Sequence, residues 1–137
     1  MKDLDRRSIL AGLAIMAVTA VVLTGMGRSL WCACESLVPW SFDVWSKHNS
    51  QHILDPYTFS HVLHGVVFFG LLWPLREKLG LGWRAAISAG LEATWEVAEN
   101  TNTVIDRYRE SMVSLDYFGD SVMNSMADIV SCVGGFA

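Results

Sequence analysis

The sequence predicts an all-α fold, a polytopic membrane helix bundle with about four transmembrane helices in a single membrane domain over residues 1–137. Three observations lead there. Hydrophobic residues make up 52% of the chain and only 18% are charged, with a mean hydropathy of +0.32, too apolar for an average water-soluble domain. Long apolar runs alternate with polar stretches bearing Pro and Trp. Within the later runs, carboxylates recur at helical spacing, which gathers them on one face.

The first element is the run from Ser8 to Gly27, about 20 positions without a charge. That is enough to cross a ~30 Å hydrocarbon core at ~1.5 Å per residue. A cleaved signal peptide would have a shorter apolar run and a small-residue cleavage site, and Leu23-Thr24-Gly25 is a poor one. Arg6-Arg7 hints at a twin-arginine export signal, but the rest of the chain is too apolar for a folded soluble cargo. The run is read as a transmembrane helix over about 8–27.

Residues 28–56 follow as an outer loop, with Pro39, Pro56 and several charges, and with Trp31, Trp40 and Trp45 as interface anchors. The second span covers 57–75 and carries only His61 and His64 as ionisable groups. Pro74, Arg76 and Lys78 end it, and Gly80-Leu81-Gly82 makes a tight connection.

The third span, 83–100, holds Glu92, Glu96 and Glu99. Each would cost roughly 2.5–3.5 kcal/mol if ionised and facing lipid at mid-span. They share one helical stripe, whereas Ala86, Ile87, Gly90, Thr94 and Val97 form an opposite stripe suited to helix contact. The competing reading is an amphipathic helix lying on the membrane surface. A polar outer loop over 101–115 leads to a fourth span, 116–137, with Asp116, Asp120, Asn124 and Asp128 at four-residue spacing. The apolar tail Val133-Gly134-Gly135-Phe136-Ala137 lacks a polar flank and reads as a segment cut short.

Six of the ten Lys and Arg lie in the N-terminus and the 76–84 turn. Positive residues favour the cytoplasm, so the N-terminus is expected inside and both longer loops outside. The location expected is the bacterial inner membrane, with the lipid bilayer as partner. The net charge of −4, without a basic stripe, argues against nucleic acid. In this orientation the polar groups of the later spans fall in the outer half of the bilayer. Lipid cannot satisfy them, so they should face one another or a watery cleft.

All four histidines, His48, His52, His61 and His64, lie within 17 residues. His61 and His64 stand three apart, on one helical face. A general acid–base site would use His61, His64, Glu92, Glu96, Asp116 and Asp120, since a buried His beside carboxylates could activate water or a lipid-head hydroxyl. A divalent metal such as zinc would draw on His52, His61, His64, Glu96 and Asp120. The H-x-x-H spacing alone is weak and lacks the Glu of a zinc-protease motif. The plainer alternative is that the polar groups only hydrogen-bond helices together, or pair Arg107 or Arg109 with Asp116. Cys32 and Cys34 could bind metal or face oxidation on the outer side, but at i and i+2 they bridge poorly. A structural or partner-dependent role is the favoured reading, and no paired disulfide framework is implied.

Several runs resemble an uncharacterised family of bacterial multi-pass inner-membrane proteins: Asn49-Ser50-Gln51-His52, Tyr57-Thr58-Phe59-Ser60-His61-Val62-Leu63-His64-Gly65, Trp95-Glu96-Val97-Ala98-Glu99-Asn100, Ile105-Asp106-Arg107-Tyr108-Arg109 and Ser114-Leu115-Asp116-Tyr117-Phe118-Gly119-Asp120-Ser121. The resemblance implies location and topology but no reaction, and it implies a further hydrophobic stretch beyond this chain. More loosely, His64, Glu96, Arg109, Asp116, Asp120 and Asn124 are similar in order and kind to the polar residues of VanZ-like membrane proteins. The function expected is binding or acting on a lipid-linked or cell-envelope molecule at an outward polar cleft. The alternatives are an assembly subunit pairing with a membrane-protein partner and, third, an ion or proton pathway.

Overall fold

A computed structural model describes residues 4–34, 36–111 and 117–137. The described residues form five α-helices and no strand. Helix α1, Arg6–Gly25, starts where the Asp5 carboxylate accepts the Ser8 N–H at 2.6 Å. Helix α2, Thr58–Leu72, runs into a 3₁₀ turn, Trp73–Leu75, that Pro74 enters. Helix α3 is Leu81–Glu99, α4 is Asn102–Glu110 and α5 is Val122–Phe136. Arg6–Gly25 and Thr58–Leu75 are long and apolar enough to cross a membrane, and α5 is a shorter apolar helix.

Two expected boundaries change. Residues 101–115 contain α4, whose C-terminal Arg107 and Arg109 suit the negative end of the helix dipole. Its mostly polar sequence hides it, because only one residue, Ile105, is buried. The last helix begins at Val122 instead of 116. Gly119 takes φ 91°, a left-handed conformation that interrupts any helix there, and Ser121 then caps α5 by accepting the Asn124 N–H. Asp116 lies outside the described residues.

The helices touch through small residues. Any Cβ on Gly65 of α2 would collide with the Cys132 carbonyl and sit 2.7 Å from the Phe136 nitrogen of α5. Gly135 stands in the same relation to the Val62 carbonyl. These paired glycines bring the α2 and α5 backbones together, and Phe69 meets Phe136 edge-on at 5.5 Å just beyond. On the other side, Ala89 and Ala93 of α3 pack with Ile129 of α5 and Ile15 and Met16 of α1.

The polarity is reversed from that of a soluble core. Among the described residues, 17 polar or charged side chains are buried against 11 apolar ones, while Leu10, Leu13, Val18, Val21, Leu63, Val66 and Leu71 lie exposed on α1 and α2.

The 28–56 segment folds back onto the start of α5. Ser29, Leu30 and Ser50 offer carbonyls to the N–H groups of Val122 (2.8 Å), Met123 (3.2 Å) and Ser121 (3.0 Å). Gln51 donates to the Gly119 carbonyl at 2.7 Å, and Asn124 donates to the His52 carbonyl at 2.7 Å. The orphan donors of a helix start are thus met by the loop.

Candidate functional site

Glu92 of α3 is fully buried and held by two imidazoles of α2. His61 Nδ1 lies 2.5 Å from Glu92 Oε1, and His64 Nδ1 lies 3.1 Å from both carboxylate oxygens. An ionised carboxylate only accepts, so both Nδ1 atoms donate, and in a neutral ring Nε2 keeps its lone pair. The i, i+3 spacing on α2 supplies this geometry directly. His61 Nε2 then faces Asp128 Oδ2 of α5 at 3.7 Å, and His61 Nδ1 is 3.5 Å from Glu96 Oε1.

Neither oxygen of Glu96 makes a hydrogen bond among the described residues, nor does Asp128 Oδ1, and all three are buried. Among the described residues no Lys or Arg pairs with these carboxylates; the Arg ion pairs there are Arg76–Glu77 and Arg109–Asp106. Acid groups so placed need protons, a charged His or a cation to persist. His61, His64 and Glu92 form one group able to hold a metal ion, and His61, Glu96 and Asp128 form another.

Beside this cluster lies a cavity of about 200 Å³, lined by His61, His64, Glu99, Trp95, Tyr57 and Tyr108, with Asn49, Ser50, Ser60 and Tyr117 completing it. His64 is the accessible imidazole, its side chain 37% exposed against 7% for His61.

Asp120 takes its hydrogen bonds from a different set of partners, one of which, Tyr117, lines the same cavity. Its oxygens accept from Asn100 Nδ2 at 2.7 Å and Tyr117 Oη at 3.0 Å, and its N–H donates to Asn100 Oδ1 at 2.8 Å. Burial pushes its carboxyl up to about 6, against the lowering effect of the Asn100 and Tyr117 donors. Burial and the neighbouring Asp120 charge push the Tyr117 hydroxyl up as well.

The residues proposed for acid–base work thus divide. His61, His64, Glu92 and Glu96 come together, Asp120 lies in the Asn100–Tyr117 network, and Asp116 is outside the described residues. Of the expected metal donors, His61, His64 and Glu96 stay together, while His52 joins a different group in the 28–56 segment. Asp128 and Asn100 were not singled out as site residues. The four-residue spacing of Asp128 from Asn124 carried that signal for Asp128; nothing comparable marks Asn100.

A family model described as a protein of unknown function (DUF2585) matches residues 23–137. The chain belongs to this family. Relatives named UPF0314 protein include one from Paracoccus denitrificans, 45% identical over 122 residues, covering 89% of this chain and 63% of the relative. One from Brucella anthropi is 47% identical over 124 residues, covering 90% and 63%. A third, from Sphingopyxis alaskensis, is 41% identical over 133 residues, covering 97% and 71%. The chain therefore spans a little under two thirds of the length of the first two relatives. No solved structure matches it. The family brings no named activity, so the site's chemistry rests on its geometry.

Proposed function

We propose that the protein is a multi-pass inner-membrane protein that binds the polar head group of a lipid-linked molecule at the His61–His64–Glu92 cluster and does acid–base work on it. The reversed polarity supports the membrane setting, since apolar side chains on α1 and α2 face outward while carboxylates and imidazoles are enclosed. On this reading α3 and α5 are membrane-spanning too, which gives four spans. The carrying observation is the cavity with His64 at its wall and Glu92 behind it.

Its size suits a head group and excludes a whole lipid. Tyr57, Tyr108 and Trp95 add aromatic faces that favour an amine or a polyol. The surrounding carboxylates disfavour a bare phosphate. With Nδ1–H given to Glu92, His64 Nε2 is the proton acceptor for a head-group hydroxyl or amine, or for a water.

Native mass spectrometry of the detergent-purified chain with phosphatidylethanolamine, phosphatidylglycerol and a glycolipid tests this. Wild type should retain an amine- or hydroxyl-bearing lipid, and His64→Ala, Glu92→Gln and the double variant should lose it to the same extent, because residues acting as one unit are non-additive. Equal retention by wild type and variants would overturn the proposal.

A further inference from the structure

The 28–56 segment contains a third group of donors, which the proposed function leaves unused: Cys32, Cys34, His48 and His52, whose ligating atoms all lie within 4.8 Å of one another. We propose that, with its cysteines reduced, this group is a zinc site of the Cys₂His₂ type, separate from the His61 cluster.

The donor set is the one that tetrahedral zinc takes, and the sequence order, C-x-C followed by H-x₃-H, differs from the common spacing only in a cysteine pair one residue tighter. With Zn–S about 2.3 Å and Zn–N about 2.0–2.1 Å, a tetrahedral site holds its donor atoms roughly 3.3–3.8 Å apart. Here His48 Nδ1 and His52 Nε2 are 3.2 Å apart, Cys32 Sγ and His48 Nδ1 3.8 Å, and Cys34 Sγ and His52 Nε2 4.0 Å.

The outer partners suit a metal as well. His52 Nδ1 lies 2.6 Å from the Val38 carbonyl, which accepts only, so Nδ1 carries the proton and Nε2 turns its lone pair inward. That second-nitrogen bond to a backbone carbonyl is the usual means of orienting a metal-bound histidine. The Cys34 N–H points at Cys32 Sγ from 3.3 Å. Cys32 and His52 are buried, and Cys34 and His48 half-buried, which leaves a route in for an ion.

In the structure Cys32 and Cys34 are joined as a disulfide, so the two states exclude each other. Splitting the S–S bond takes two electrons from an external dithiol, which closes to its own disulfide and leaves two Cys thiols. Zinc binding then releases both thiol protons to solvent and forms two Zn–S and two Zn–N bonds.

The test uses the full chain in detergent, reduced with a phosphine, and titrated with Co²⁺ and then Zn²⁺. The reduced protein should show a thiolate-to-cobalt charge-transfer band that one equivalent of Zn²⁺ abolishes, and the oxidised protein should show neither. Cys34→Ser should lose most of the band. His48→Gln, which spares the His52–Val38 bond, should weaken zinc binding by more than the roughly 10–100-fold that altering an outer partner costs, with helical circular dichroism unchanged. Absence of the band in the reduced wild type overturns the site. So does a band of full strength in the Cys32→Ser, Cys34→Ser double variant, which would assign it to Cys132.

Discussion

His61 Nδ1 approaches Glu92 Oε1 to 2.5 Å, and this contact joins α2 to α3 at a point where both side chains are buried. Losing His61 leaves the enclosed Glu92 with His64 as its one remaining imidazole, and losing Glu92 leaves His61 enclosed without its acceptor; either is costlier than losing both together. His61→Ala and Glu92→Leu should each lower stability by about 1–3 kcal/mol, and the double variant should fall short of their sum by roughly 0.5–3 kcal/mol. Thermal unfolding in detergent reads the cycle; strict additivity would show that the contact is not an energetic unit.

The glycine contacts make a sharper contrast. Gly65→Ala forces a Cβ onto the Cys132 carbonyl, whereas Gly70→Ala meets nothing within 4 Å. The first should cost about 1–3 kcal/mol or separate α2 from α5. The second should be neutral or gain about 0.5–1 kcal/mol from helix propensity. Melting temperatures of the two variants should therefore move in different directions.

An inside N-terminus is the expectation from the Lys and Arg distribution. In a background without Cys32, Cys34 and Cys132, Ser46→Cys and Ser111→Cys should react with an impermeant thiol reagent added to intact cells, and Gly80→Cys should not. The opposite pattern would place the cavity on the cytoplasmic side.

Asp120 gives a pH signature. Its folded pKa of about 6 exceeds the ordinary 3.8, so the folded chain keeps a proton that the unfolded chain has already released. The contribution favours folding below the ordinary value and is lost as pH rises through about 6. Asp120→Asn cannot titrate, so its stability should fall less than that of wild type between about pH 4 and pH 7. Identical pH profiles would exclude Asp120 as the source.

The helical class was legible because apolar runs long enough to cross a bilayer are unmistakable, and His61 and His64 were legible because i, i+3 spacing dictates a shared face. Glu92 and Glu96 followed from the stripe on α3. What the sequence concealed depends on distant pairings. Asp120 looked like part of the last helix because the spacing Asp116, Asp120, Asn124, Asp128 is helical; its actual place is set by Asn100, 20 residues away. Helix α4 was hidden by its polar composition, and the Cys32–Cys34 bond by a spacing that ordinarily discourages bridging.

The loop's grip on the start of α5 has a consequence for biogenesis. The acceptors for the Ser121 hydroxyl and the Asn124 side-chain amide are the carbonyls of Gln51 and His52, 70 and 72 residues earlier in the chain. Until those groups are folded, the last helix enters its surroundings with an open, hydrogen-bond-hungry end, which an apolar medium penalises heavily. On the membrane reading proposed above, maturation of the last helix should wait on the segment between the first two, and a lesion in residues 50–52 should appear as a defect in assembling the helix Val122–Phe136.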